Sequence, residues 1–279
     1  MKVGRSGQSG DKAGPAGKPG KGGRDDWNNH WSDFSEATSL NPAQEYRRRL
    51  ILGRARKLAW PGARVLDIGC GVGELAGDLF QALPESSVRG LDLSATGVKI
   101  ASKRFPKVEF LRWNLLSPRP LPKGWRLWAD LAVCSEVLEH LDDPIRFLKN
   151  SAMLLRPGGT LLVTVPGGPR SAFDRFLGHR RHFRSGDLKE LLERAGLNVA
   201  RVERAGFPFF NIYKLLLVLR GKRLSRDVST GTGQRLSSLA RLLMALFRAF
   251  FRANLEQSPW GWQLLAVARK HGARGSYAD

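Results

Sequence analysis

The residues best suited to chemistry begin at Val65, where the run VLDIGCGVG carries an apolar strand into Gly69, Gly71 and Gly73 and then into a helix starting near Glu74. Glycine lets the backbone turn sharply and lets a ligand lie against main-chain atoms. In open α/β sheets ligands bind at the carboxyl ends of the strands, where this turn falls. The dinucleotide fingerprint needs a glycine at the position of Glu74, so the spacing disfavours a pyrophosphate. An acid at the helix start repels phosphate and tolerates a cation, and the loop therefore predicts a nucleotide-like ligand with positive charge.

Three histidines form the second constellation. His140, in SEVLEHLDDP, follows the fourth apolar run, and His179 and His182, in DRFLGHRRHF, follow the fifth. All three belong on the carboxyl side of the sheet and are expected to converge there. An imidazole near neutral pH can take a proton from a hydroxyl or a protonated nitrogen, which makes them the candidate catalytic bases. Asp174, Arg175, Arg180 and Arg181 fit either an anion clamp or a fixed ion-pair network. Glu136, Glu139 and His140, at i, i+3 and i+4, would share one face of a helix and could hold a divalent ion with His179 or His182; no metal is assigned on that spacing alone.

Positioning these groups requires strands, and the pattern supplies them. Short β-branched or apolar runs at 64–69, 87–93, 108–114, 127–135 and 160–166 alternate with amphipathic stretches, as in a parallel sheet flanked by helices, and further strands are expected at 197–206 and 261–270. The first and fifth runs are nearly all apolar, the mark of strands covered on both faces. Residues 207–259 interrupt the last strand pair with two helical candidates. In the second, 236–253, Arg241, Arg248 and Arg252 share one face while Leu239, Leu242, Leu243, Leu246 and Phe250 gather toward another. Residues 25–62 read as a helical cap, with Asn41 before Pro42 as a helix entry, and the Gly- and Lys-rich residues 1–24 as a disordered tail.

Composition narrows the class. The 279 residues, 42% of them apolar, can bury one sizeable core. Two cysteines cannot build a disulfide framework, no run approaches the roughly 18 apolar residues of a membrane span, and no signal peptide opens the chain, so a cytoplasmic location is expected. The net charge is +21, with six bases to one acid in residues 1–24 and 14 to four in residues 201–279. Such a surplus suits nucleic acid, an anionic membrane surface or an acidic substrate.

VLDIGCGVGELA, an acid ending the second strand at Asp92, and LLRPGGTLLVTVP together resemble the class I S-adenosylmethionine-dependent methyltransferases over residues 64–206. The resemblance implies a Rossmann-like α/β fold. Its seven-stranded sheet is mostly parallel with an antiparallel last strand, here preceded by a helical insertion, and residues 63–279 form the methyltransferase domain. It also implies S-adenosyl-L-methionine as cofactor. Asp67, Gly69, Cys70, Gly71 and Gly73 would shape the loop around the methionine half and ribose, with Cys70 contributing backbone. Asp92 would accept from both ribose hydroxyls, Leu93 and Leu115 would sandwich the adenine, and Asn114 would accept from its amino group in place of the more usual Asp. Ser135 and Glu136 would offer main-chain carbonyls to the α-amino group.

The expected reaction is in-line transfer of a methyl group to a small-molecule or lipid-like acceptor, most readily at oxygen, with 207–259 as an apolar lid. An RNA 2′-O-methyltransferase using a divalent metal is the alternative that the basic charge and the Glu136, Glu139 and His140 spacing would suit. A non-catalytic cofactor-binding scaffold at a membrane surface, touching it through 236–253, is a third.

Overall fold

The computed structural model describes residues 27, 28, 31, 41–229 and 238–272. The tail expected over 1–24 lies outside the described residues. Seven strands, β1 (Arg64–Ile68), β2 (Ser87–Asp92), β3 (Glu109–Arg112), β4 (Ala129–Ser135), β5 (Leu155–Pro166), β6 (Leu197–Ala205) and β7 (Gln263–Lys270), form one sheet in the order β3-β2-β1-β4-β5-β7-β6. Neighbours from β3 to β5 pair in parallel, and β7 runs antiparallel to both β5 and β6. The expected seven-stranded, mostly parallel sheet with a reversed last strand is the observed one.

The all-apolar strand runs have the anticipated cause. Along β5, Leu161, Val163 and Val165 enter one core layer while Leu162 enters the other, and Leu66 and Ile68 of β1 lie opposite Val65 in the same way. Helices cover both faces. One layer is closed by α4 (Pro144–Leu154) and α6 (Ser185–Arg194), which bring Phe147, Leu148, Leu188 and Leu192 to the sheet. The other is closed by α1 (Pro42–Leu58) and α2 (Glu74–Ala82). The first helix starts as expected: Asn41 Oδ1 accepts from Ala43 N at 2.9 Å, and Pro42 fills the first turn. Its inward stripe of Tyr46, Leu50 and Ile51 packs against the sheet, and buried Arg54 donates to Glu203 of β6, so the cap is built into the second core layer.

The fifth strand starts earlier than the 160–166 expected. Arg156–Gly159 lies within it; Ala129 pairs with Leu155 and Leu131 with Thr160, a register shift that takes up the extra residues as an irregularity of the strand.

The insertion is helical as expected, comprising α7 (Phe209–Ser229) and α8 (Ser238–Phe250), followed by a single 3₁₀ turn at Phe251–Ala253. The orientation of α8 corrects the amphipathic reading. Phe247 and, in the following turn, Phe251 face the core: Phe251 is buried against Tyr46 and Phe210, while Arg248 pairs with Glu45 of α1 at 3.1 Å. Leu242, Leu243, Leu246 and Phe250 remain exposed instead. Arg248 is half-exposed, and its ion pair with the exposed Glu45 lies at the solvent edge of the α1–α8 contact.

Candidate active site

The glycine loop joins β1 to α2 at the carboxyl edge of the sheet. Gly69, Gly71 and Gly73 take φ of +78°, +52° and +81°, the left-handed region in which a side chain is strained, and this explains the alternation of glycines. The loop fastens itself to β2. Gly69 N and Cys70 N both donate to Leu91 O, Cys70 O accepts from Gly73 N, and Gly71 N donates to Asp92 Oδ2 at 2.9 Å. Cys70 thus contributes backbone to the loop's own hydrogen bonds, while its thiol is buried and pushed up by burial and then by Asp67 and Asp92.

Asp67 and Asp92 set two carboxyl groups side by side at this corner. Asp92 Oδ1 accepts from Ser94 N at 2.7 Å, opening α3 (Ala95–Arg104), and each of its oxygens keeps further accepting capacity. Asp67 is buried; the N–H of Ala76 reaches it, yet its Oδ2 has no hydrogen-bond partner. Burial and then repulsion from Asp92 push its carboxyl up to about 8. A cationic ligand would favour the ionised forms of the two acids, and the orphaned Asp67 oxygen is open to one. Glu74 does not set the ligand's charge, because Arg48 and Arg104 pair with it at 2.8 and 3.4 Å and take up its charge. The cationic preference stands on Asp67 and Asp92.

Of the residues expected around the adenine, Leu93 is exposed at the rim beyond β2, whereas Leu115 is buried in the core layer with Leu91 and Leu138. Asn114 is exposed, and its Oδ1 accepts from Leu116 N at 2.9 Å, closing a local turn. Ser135 Oγ lies 2.9 Å from Thr164 Oγ1. Glu136 sits at φ +56°, and its carboxylate accepts from Gln263 Nε2 at 2.9 Å with Arg47 at 3.5 Å.

That geometry also breaks the expected helix face. Glu136 is left-handed and Leu138–His140 is a single 3₁₀ turn, so Glu136, Glu139 and His140 do not line up as they would on an α-helix. The histidines do converge. The rings of His140 and His179 meet edge to face with centroids 4.7 Å apart, and His179 Nδ1 lies 3.3 Å from His182 Nε2. Burial and then the neighbouring His140 push His179 down to about 2, and burial lowers His182 as well. Both shifts run against the role of a base poised near neutral pH.

The loop bearing these histidines is stapled in place. Arg180 N donates to Glu139 O at 2.8 Å, Arg181 reaches Leu141 O at 3.0 Å, and Arg180 pairs with Asp142. The arginines thus form the fixed network rather than an anion clamp. Asp174 caps the short helix α5 (Ala172–Phe176) by accepting from Ser171, and Lys214 of α7 reaches its Oδ1 at 2.9 Å. The insertion is thereby tied to the histidine loop.

Two residues of this site carried no motif. Trp31 lies on the glycine loop so closely that a Cβ on Gly71 would fall 2.3 Å from its ring, and Trp27 meets His140 edge to face at 4.7 Å. Asn28 Oδ1 accepts from Ser94 Oγ at 2.9 Å. Trp27, Asn28 and Trp31 therefore lie over the strand ends between the glycine loop and His140. Its aromatic spacing was legible only as a helical cap.

A family model described as a methyltransferase domain matches residues 43–202. A Mycolicibacterium smegmatis protein named as a probable S-adenosylmethionine-dependent methyltransferase is 32% identical over 160 residues, covering 55% of this chain and 59% of that protein. A ubiquinone biosynthesis O-methyltransferase of Xanthomonas campestris pv. campestris is 35% identical over 122 residues, covering 43% of this chain and 49% of the relative. The matches thus span about half the length of these curated relatives. Among solved structures, the [4+2]-cyclase SpnF superposes with a TM-score of 0.54 at 20% identity, covering 82% of each chain, a likeness of fold alone. From the glycine loop, the sheet order and the match over more than half its length, the chain belongs to the class I S-adenosylmethionine-dependent methyltransferase family.

Proposed function

We propose that the protein moves the methyl group of S-adenosylmethionine to an oxygen of a small, apolar acceptor held between the strand ends and the helical insertion. The cofactor supplies a methyl group already activated on a sulfonium, so the protein's task is alignment and exclusion of water. The carboxylates of Asp67 and Asp92 favour the cationic end of the cofactor, and Asp92 retains lone pairs for the ribose hydroxyls. Ser135 and Glu136 offer main-chain carbonyls at the end of β4, and Leu93, Asn114 and Leu115 are the residues assigned to the adenine side.

The observation that carries the acceptor reading is the Lys214–Asp174 pair, which anchors α7 to the loop holding His179 and His182. Beside that anchor, Ile212, Leu215, Leu216 and Leu219 leave apolar side chains exposed on α7, as Leu242, Leu246 and Phe250 do on α8. A polar nucleic-acid surface would not use such residues, whereas a prenylated or polyketide-like acceptor would. The named O-methyltransferase among the relatives supports the small-molecule class. No helix among the described residues is long and apolar enough to cross a membrane. The exposed leucines together with the basic surplus of 201–279 suit peripheral contact with an anionic bilayer, from which a greasy acceptor would be drawn.

A series of phenolic acceptors differing only in the length of an apolar chain tests the acceptor class. The expected result is kcat/KM rising with chain length; equal turnover of the chainless phenol and its long-chain homologue would remove the lid from the account.

A further inference from the structure

Glu139 is fully buried, and neither oxygen of its carboxyl group has a hydrogen-bond partner. Buried carboxyl groups are ordinarily hydrogen-bonded, ion-paired or bound to a metal, so two orphaned oxygens on one buried side chain call for a ligand. What surrounds Glu139 specifies its chemistry. One ligand atom from each of Glu139, His140 and His179 lies within 4.8 Å of the other two, with Glu139 Oε1 and His140 Nε2 at 4.0 Å.

His179 is held as a ligand would be. His182 Nδ1 lies 3.1 Å from Gly168 O, a partner that can only accept, so that nitrogen carries the proton and His182 Nε2 is left as an acceptor. His179 Nδ1, 3.3 Å from that acceptor, then donates to it, and the remaining lone pair of His179 is at Nε2. Fixing one ring nitrogen through a hydrogen bond so that the other faces an ion is the usual support of an imidazole ligand. Asp174 lies within reach of His179 and His182 as well, but its oxygens already accept from Ser171 N, Ser171 Oγ and Lys214 Nζ, and they serve the helix cap. Glu136 is likewise occupied, by Gln263, Thr164 and Arg47.

We propose that Glu139, His140 and His179 form a binding site for a first-row divalent transition ion such as Zn²⁺ at the carboxyl ends of β4 and β5. Two imidazoles and one carboxylate select that class over Mg²⁺ or Ca²⁺, which prefer oxygen ligands, and three protein ligands leave a position for an oxygen from outside the chain. Use of that position by the acceptor oxygen rests on the methyltransfer reading above; binding of the ion does not.

The test is made on the full chain, without cofactor or acceptor, after dialysis against a chelator. Calorimetric titration with Zn²⁺, and titration with Co²⁺ read by its visible absorption, should each reach one ion per chain. Glu139→Gln and His179→Ala should each weaken binding by at least about tenfold, since even residues that only support a ligand cost that much. Glu136→Gln should leave affinity unchanged. Absence of a saturable site in the wild type overturns the proposal, as does unchanged affinity in both Glu139→Gln and His179→Ala. Binding lost in Asp174→Asn but kept in Glu139→Gln would move the ion to Asp174, His179 and His182 and overturn the assignment. If His179→Ala fails to fold, Glu139→Gln alone decides, because it preserves shape and removes only the charge.

Discussion

Asp92 Oδ2 accepts the backbone N–H of Gly71 at 2.9 Å, and this bond fastens the glycine loop to the end of β2. Asp92 shapes the loop, and in the proposed function it also receives the ribose. Asp92→Ala removes both, and calorimetry should show S-adenosylmethionine affinity falling by about a hundredfold or more, equivalent to two charge-assisted hydrogen bonds. Asp92→Asn should be nearly as damaging, because its amide must turn an N–H toward either Gly71 N or Ser94 N, both of them donors.

Asp67 makes the protein sensitive to pH. Its folded-state carboxyl is raised to about 8 by burial and by Asp92, above the unfolded value of about 4, so the native state without cofactor binds the extra proton. The stability associated with that proton is complete below about pH 4 and is lost as pH rises through about 8. A cationic ligand reverses the preference by favouring the ionised form. Binding of S-adenosylmethionine near pH 7 should therefore release a proton, seen as a dependence of the calorimetric enthalpy on buffer ionisation heat. Asp67→Asn should abolish that dependence.

Much of this arrangement is legible in the sequence for physical reasons. Strands covered on both faces must be apolar throughout, which is why RVLDI and TLLVTVP declare themselves; a loop with three positive φ angles must alternate glycines. What escapes depends on contacts between distant segments. Nothing in the letters says that Arg48 and Arg104 neutralise Glu74, that Glu136 turns left-handed toward Gln263, or that α8 presents Phe247 and Phe251 rather than its leucines to the core. Trp31 on Gly71 is of the same kind, a contact between residues 40 positions apart that no local pattern encodes.

The Lys214–Asp174 pair separates the insertion's role from that of the cofactor loop. Burial tends to raise the Asp174 carboxyl, but Lys214 and Ser171 outweigh it and hold it at about 2. Lys214→Met should raise KM for the acceptor several-fold while leaving the Kd for S-adenosylmethionine within a factor of about two, because only α7 loses its anchor. Equal weakening of both would tie the insertion to the cofactor instead.

Arg54 measures how far the first helix belongs to the fold. It is buried and donates to Glu203 at 2.8 and 3.0 Å, with Glu256 at 3.1 Å. Arg54→Ala leaves Glu203 Oε2 without its donor while Arg201 and Gln257 stay on Oε1, and should cost about 1–3 kcal/mol in urea unfolding, with a single transition. Loss of less than about 1 kcal/mol would mark the helix as an appendage.

Transfer of a methyl group from S-adenosylmethionine to a small apolar acceptor, as proposed, can be followed directly. The direct measurement is incubation of the protein and methyl-labelled S-adenosylmethionine with a whole-cell extract, then nuclease treatment and organic extraction, with Asp92→Ala in parallel. The account predicts label in the nuclease-resistant organic fraction for the wild type and none for the variant. Label released by nuclease, or label in the organic fraction undiminished in Asp92→Ala, would contradict it.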